Sequence, residues 1–428
     1  MVKIQSKHKE EILKGSIQSL ILKFFGIILN YLVIIVITKL IGVAAVGFYN
    51  VSFITLLLLT NLCSLGLNFS TTRFTAEYLK NEEKLNIFLK KSHKIIFTTG
   101  LLGGAVLFFL SQFIADRFFK NNQYSYAFKV LAFSIPFYVV YIFNVEYLRG
   151  LRKIIASESL KNLVLPIIIL IFIRVSYYSL DNLTAIYGLI IASLIAFLLS
   201  NFNLTRIKNK KKGLLSTKTL IKQSSPLMIM GLAAFLLSES GIYILEMYHT
   251  NNEVGVYTII YKVALVSSII YTIMNTIVGP KIAELYWSND IDNLKESIKY
   301  ASKYLLLLSV VVTTILIFFS KQILLFFNID YDSNTSMIIL IIGQFIYAIF
   351  GVAGIFLLVT NHQKVFRNIY IISATVNMLL NFLLIPKYEV LGAAISLSVS
   401  YILLNIICTV YLFRKHKILA IYFPLINK

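Results

Sequence analysis

A chain of 428 residues that is 58% hydrophobic and only 14% charged, with a mean hydropathy of +0.80, cannot fold around a water-soluble core, because soluble domains carry about 25% charged residues. The formal net charge of +21 does not point to nucleic acid: the basic residues sit in short loops between apolar stretches, and no soluble domain is left to carry a binding surface. Cys63 and Cys408 both lie inside apolar stretches and read as packing residues, while the five histidines are scattered without metal-ligand spacing, so neither a disulfide framework nor a metal centre is expected.

Apolar runs of about twenty residues or more match a hydrocarbon layer of about 30 Å at 1.5 Å per helical residue. In chain order the sequence predicts spans over 15–40, 44–68, 95–114, 127–147, 159–178 and 183–203. Six more follow over 220–248, 254–279, 301–319, 336–358, 368–384 and 391–413. The first run follows a charged segment and is longer than a signal-peptide core, so it is expected to remain as the first span. An all-α membrane protein of about twelve helices results.

Sorting Lys and Arg by alternate loops gives 31 in one set of segments, four in the other (Arg117, Lys120, Lys321, Lys387) and five within spans. Short basic loops stay cytosolic, so both ends are expected inside the cell. The chain also repeats itself. Gly47-Phe-Tyr matches Gly255-Val-Tyr at an offset of 208, which also pairs Arg73 with Lys281, Tyr78 with Tyr286 and Asn81 with Asn289. Two six-helix lobes of the same orientation follow, at 1–205 and 220–413, joined by a basic cytosolic linker at 206–222 and followed by a cytosolic tail at 414–428.

Polar side chains facing lipid are costly, so polar residues at helical spacing inside a span should face a cavity or another helix. Ser19, Lys23, Gly26 and Asn30 share one face of the first helix, and Asn61, Ser64 and Asn68 one face of the second. In the seventh, Glu239 and Glu246 are nearly aligned; in the eighth, Tyr257, Tyr261, Ala264, Ser268 and Asn275 form a stripe with Lys262 to its side. These are the leading helices of the two lobes. One reading is a shared polar cavity; the other is that small and amide residues cement helix packing. Lys23 and Lys262 lie about 12 Å inside their spans and read as cavity cations. Lys39, Lys129 and Arg174 are near span ends, where snorkelling to water competes with a cavity role. Glu146, three residues before Arg149, suggests a local ion pair. Glu239 is mid-span with no sequence-local cation, which suits a group that binds and releases a proton or pairs with a distant lysine. Pro136, Pro166, Pro226 and Pro280 mark kinks or hinges. Enzymatic motifs are absent from the sequence, and the outer loops are too short for a catalytic domain.

The run Thr38-Lys-Leu-Ile-Gly-Val-Ala-Ala-Val-Gly-Phe-Tyr, then Leu65-Gly-Leu, Arg73, Ser225-Pro226, Glu253-Val-Gly-Val-Tyr and Pro280-Lys281-Ile, resembles the polysaccharide flippases of the Wzx type. The resemblance implies two six-helix lobes around a V-shaped cavity, as in multidrug and toxic-compound exporters, in a bacterial inner membrane. It implies transfer of an undecaprenyl-diphosphate-linked oligosaccharide, the repeat unit of an O-antigen, capsule or exopolysaccharide, by ion-coupled alternating access. Lys23, Asn30, Asn61, Lys262, Tyr261, Asn275 and Arg174 would line the substrate path, with Glu239 as the group for a coupling ion, H+ or Na+. No other cofactor is expected; a polysaccharide polymerase and a chain-length regulator are expected partners. The acidic residue usual before the Gly-Phe-Tyr turn is replaced at Val46, whereas Glu253 retains it in the second half. A drug exporter of the same fold and a membrane glycan polymerase are the rival readings.

Overall fold

A computed structural model describes residues 2–204 and 216–422, with side chains from Gln18 onward; residues 205–215, which include most of the linker expected at 206–222, and the last six residues of the tail lie outside the described residues. Everything regular in it is helical. Contacts divide the chain into two compact units, Met1–Leu232 and Ala233–Lys428.

Unit 1 opens with α1 (Val2–Leu40), which Gly42 separates from α2 (Val43–Cys63) and α3 (Leu67–Tyr78). Asn81 caps α4 (Glu82–Ile114) by accepting from the Lys84 amide at 3.0 Å, satisfying one of the first-turn donors that a helix leaves unpaired. The fourth span, expected as one piece over 127–147, is broken. Helices α5 (Gln123–Ala132) and α6 (Ile135–Gly150) meet at 55°, because Pro136 in the first turn of α6 lacks the N–H that would continue the ladder. The fifth span is α7 (Ile154–Ser159) running through a wide π-turn at Leu160–Val164 into α8 (Leu165–Val175), with Pro166 just beyond the wide turn. Helix α9 (Thr184–Phe202) completes six spans, and the first half of α10 (Thr217–Tyr248) also packs in this unit. Its core is aromatic: Phe48, Phe74, Phe88, Tyr124, Phe128, Tyr141, Phe143 and Tyr147 are all fully buried.

The rest of α10 begins unit 2. Thr250 and Glu253 form a reciprocal capping box on α11 (Asn251–Leu265), which a single 3₁₀ turn joins to α12 (Ile269–Trp287). Asp290, one residue beyond the counterpart of Asn81 at the 208-residue offset, caps α13 (Ile291–Phe318) as Asn81 caps α4. A short α14 (Ser320–Phe326) leads to α15 (Asn334–Val359). The last element, α16 (Gln363–His416), has 54 residues and would be about 80 Å long if straight. It is a hairpin instead. Glu389 is non-helical (φ 50°, ψ −128°), and His362 and His416 at the two ends lie 3.3 Å apart. Ten described helices are long and apolar enough to cross a membrane, the bent α5–α6 pair makes an eleventh span, and the two arms of α16 count separately to give twelve. The outside is apolar as well as the core, with Leu102, Phe109, Phe133, Phe202 and Phe318 all more than 60% exposed, a surface that lipid and not water solvates.

Candidate functional site

In unit 1 the polar face of α1 forms as its spacing requires. Lys23 is half-buried and makes no hydrogen bond or ion pair with any described residue. Three residues on, Gly26 lets the π-turn of the fifth span dock: a Cβ there would lie 2.5 Å from that of Asn162. Asn162 donates to Glu158 at 2.8 Å; Glu158, 3% exposed, pairs with Arg149 at 3.0 Å. Arg149 also pairs with Glu146 at 3.0 Å, the local pair read from the sequence, and Glu146 takes Lys161 at 3.1 Å and the Thr72 hydroxyl at 3.1 Å. Two carboxylates and two cations therefore neutralise one another here, and Lys23 stands outside the network. Asn30 is exposed and donates to the Gly26 carbonyl at 2.8 Å, so its amide nitrogen is committed to its own helix.

Asn61, Ser64 and Asn68 do converge. Ser64 donates to Asn68 Oδ1 at 2.9 Å and Asn68 donates to Asn61 Oδ1 at 3.1 Å, across the break between α2 and α3. The trio holds a broken helix together, as an amide cluster in a membrane interior commonly does. Arg174 is exposed in the last turn of α8, its guanidinium 5.4 Å from the centroid of the Tyr177 ring, in the manner of a cation anchored at a span end.

In unit 2 the structure brings three of the predicted residues together. Half-buried Glu239 of α10 has Lys262 of α11 as its basic neighbour, while the hydroxyl of the adjacent Ser238 donates to the Phe235 carbonyl at 3.2 Å. Tyr261, 4% exposed, stands beside the same carboxylate. The lysine whose charge acts on Glu239 thus comes from its own half of the chain, 23 residues on, where no local spacing rule reaches. Asn275 is half-buried further along, in α12, its amide oxygen beside Gly279.

The next residue of α10 anchors a cluster that the sequence reading missed. Ser240 donates to Asn377 Oδ1 at 2.9 Å, and Asn381 donates both to Ser240 Oγ at 3.1 Å and to Asn377 Oδ1 at 2.8 Å. Asn377 and Asn381 are each 1% exposed, yet Asn381 Oδ1 and Asn377 Nδ2 have no partner. Unpaired polar atoms at such depth are uncommon and costly, and Asn381 Oδ1 is a spare oxygen of the kind that ligates a hard cation. Their i, i+4 spacing in the first arm of α16 was the available signal. Among the described residues no three His, Cys, Asp or Glu side chains converge on one point.

Helical throughout its regular structure, with a series of apolar spans that carry polar groups at mid-span, the chain is a multi-pass membrane protein. The family described as polysaccharide biosynthesis protein matches residues 12–286, well over half of the chain, and the chain belongs to that family. The MatE family matches residues 226–383. No curated protein matches the sequence. Among solved structures, an inward-facing multidrug resistance MATE family transporter of the MOP superfamily is similar at a TM-score of 0.73 and 13% identity, over 94% of this chain and 98% of that one. The lipid II flippase MurJ in an inward closed conformation gives 0.75 and 18%, over 92% and 87%. The MATE multidrug transporter DinF-BH gives 0.70 and 16%, over 95% of each chain. At these identities the likeness is one of fold.

Proposed function

We propose that this chain flips an undecaprenyl-diphosphate-linked oligosaccharide from the cytosolic to the outer leaflet of a bacterial inner membrane, driven by a coupling ion, H+ or Na+. The observation that carries the reading is Lys23: a half-buried cation inside a span with no counter-charge among the described residues. A cation in that setting is expensive unless an anion visits it, and a lipid-linked diphosphate is an anion that enters the membrane. Lys262 differs because it faces Glu239. A cation bound at Glu239 and an anion bound near Lys262 act through one charge pair, so each alters the affinity of the other reciprocally. Ser240, Asn377 and Asn381 supply neutral oxygens one residue along, which suits Na+; Glu239 alone suits a proton. The 31-to-four division of loop cations supports both ends in the cytosol.

The fold is also that of drug exporters, whose cationic cargo calls for unpaired carboxylates. Here Glu146 is held by Arg149 and Lys161, and Glu239 has Lys262 beside it, which favours an anionic cargo. The test is deletion of the gene followed by complementation. Accumulation of a lipid-diphosphate-linked repeat unit is expected, with Lys23→Ala and Glu239→Gln failing to restore surface glycan at normal membrane levels. Full rescue by both variants sinks the site, and inhibitor sensitivity without a glycan defect would turn the reading to drug export.

A further inference from the structure

The two ends of the α16 hairpin meet through imidazoles. His362 lies in the turn that leads from α15 into α16, and His416 is the last residue of α16. Their Nε2 atoms are 3.3 Å apart although 54 residues separate them. His362 is 4% exposed and His416 half-buried, so packing fixes one ring while the other opens to water. Two further rings close the apolar side. Phe356 lies 6.0 Å from His362 and 5.2 Å from His416, and Tyr286 lies 6.2 Å and 6.0 Å from them, between centroids.

Hydrogen bonding fixes which nitrogen of His362 carries the proton. The Thr360 hydroxyl donates its one proton to the Phe356 carbonyl at 2.8 Å, so at 2.8 Å from His362 Nδ1 it can only accept. Nδ1 is therefore protonated, and Nε2 of the neutral ring presents a lone pair to His416. Burial, helped by Lys415, holds both imidazoles below their ordinary value of 6.5, so neither has to shed a proton at pH 7 to take a metal ion. The spacing is informative as well. A separation of 3.3 Å is long for a hydrogen bond, whose usual span is about 2.7–3.2 Å. It matches two nitrogens on one tetrahedral ion: with metal–nitrogen bonds of about 2.0–2.1 Å, the tetrahedron edge is about 3.3–3.4 Å. Neighbouring nitrogens on a square-planar ion at those bond lengths lie only about 2.8–3.0 Å apart. Packing alone does not call for imidazoles here, because at the 208-residue offset the pair corresponds to Ile154 and Lys208.

We propose that His362 and His416 bind a zinc ion between their Nε2 atoms, at the end of unit 2 where α16 begins and ends. The Thr360 hydroxyl stands behind His362 as a hydrogen-bond partner stands behind a metal-bound histidine, holding ring and tautomer. Among the described residues no set of three His, Cys, Asp or Glu forms, so water completes the tetrahedron from the exposed side of His416. Two protein ligands supply about half the binding free energy of a four-ligand structural site, which corresponds to a Kd on the order of 1–200 µM. The Lys415 charge, which acts on both rings, draws it toward the weak end of that range. At that affinity the ion is a reversible staple, tying the turn before α16 to the last turn of α16. The site needs nothing of Lys23 or Glu239 and is independent of the cargo.

The test uses the full chain with an affinity tag free of histidine, stripped with EDTA and titrated with Zn2+ in detergent. The melting point should rise by about 5–10 °C once free zinc is 100-fold above its Kd. His362→Gln and His416→Gln should each lose at least tenfold in apparent affinity, and Thr360→Val, which removes the hydroxyl behind His362, about tenfold. His249→Gln, which alters a ring bonded to Ile385 at the far end of the first arm, should keep the parent affinity. Co2+ in place of zinc should give the intense visible absorption of a tetrahedral site. If His362→Gln does not fold, His416→Gln, on the half-buried ring, decides alone. A melting point unmoved by millimolar zinc, a zinc response that survives His416→Gln, or the weak absorption of octahedral Co2+ overturns the site.

Discussion

Replacing Gly66 by alanine should unseat α10 from unit 1. Gly66 sits between α2 and α3 at φ 81°, ψ 0°, where an alanine costs about 1–2 kcal/mol. The new methyl would also lie 2.2 Å from the Ser224 carbonyl oxygen and 2.8 Å from its carbon, backbone atoms of α10 that cannot rotate away. Ordinary contact is about 3.5–4.0 Å, so the helices must part by more than 1 Å, an overpacking penalty of about 1–3 kcal/mol. Parting them also breaks the 2.7 Å bond between the Ser70 and Ser224 hydroxyls, about 1 kcal/mol more. The total is about 4 kcal/mol, or a melting point lower by about 8–16 °C for a cooperative unit of this size. Two other glycines separate the contributions. Gly42 has φ 131° and nothing within 4 Å of a built Cβ, so Gly42→Ala carries only the dihedral penalty. Gly26 has an ordinary helical conformation but meets Asn162 at 2.5 Å, so Gly26→Ala carries only crowding. The assay is thermal unfolding in detergent, read with a thiol-reactive dye, because both cysteines are free and buried. If Gly66→Ala melts no lower than Gly42→Ala, the close approach of α10 is refuted.

Three further outcomes are expected. Glu158→Gln removes a carboxylate that is 3% exposed and bonded to Arg149 and Asn162; the same assay should show a loss of about 2 kcal/mol, and none would mean that the network is solvated. Lys262→Met should leave Glu239 without its cation and lower membrane levels, whereas adding Glu239→Gln should restore them, the coupling expected of a charge pair; additive losses in the double variant would deny the pairing. Burial, helped by Lys415 and His416, holds the His362 imidazole below its ordinary value of 6.5 in the turn before α16. The unfolded chain therefore binds the proton more readily, so stability is complete above about pH 6.5 and falls as acidification carries pH below it. Melting temperature against pH checks this, and His362→Gln should flatten the curve between pH 6.5 and 5.

Span positions were legible because each is a long apolar run, and the pair Glu146 and Arg149 because i, i+3 neighbours meet on any helix. The same logic put Asn61, Ser64 and Asn68 on one face, though not their use in bridging a break at Gly66. The 55° bend before Pro136 was half legible: proline announces a kink but not its angle. What stayed hidden depends on which helix packs on which. Lys262 becomes the basic neighbour of Glu239 only because α10 and α11 fold back on each other, and Ser240 reaches Asn377 across 137 residues. Asn377 and Asn381 carry the same i, i+4 signature as the polar face of α1 and were legible by the same rule; only their partner Ser240 was not.

The two repeats differ where chemistry is expected to differ, and the differences sort by unit. The acidic residue kept in the second half, Glu253, is absorbed in a capping box with Thr250; at the 208-residue offset its counterpart is Ala45 and not the neighbouring Val46, and α2 begins at Gly42 without a side-chain cap. That asymmetry belongs to helix capping and leaves no free carboxylate behind. Lys23 and Glu239 have no such structural duty. Each is a charge inside a span, one with no partner among the described residues and the other with a lysine as its basic neighbour and, one residue along α10, a serine bonded to the asparagine pair that holds the unpartnered Asn381 Oδ1. A cycle that carries an anion one way and a cation the other needs a site for each. Duplication would have supplied two similar bundles, and on the function proposed above divergence of a few mid-span residues is enough for unit 1 to receive the anion and unit 2 to handle the cation.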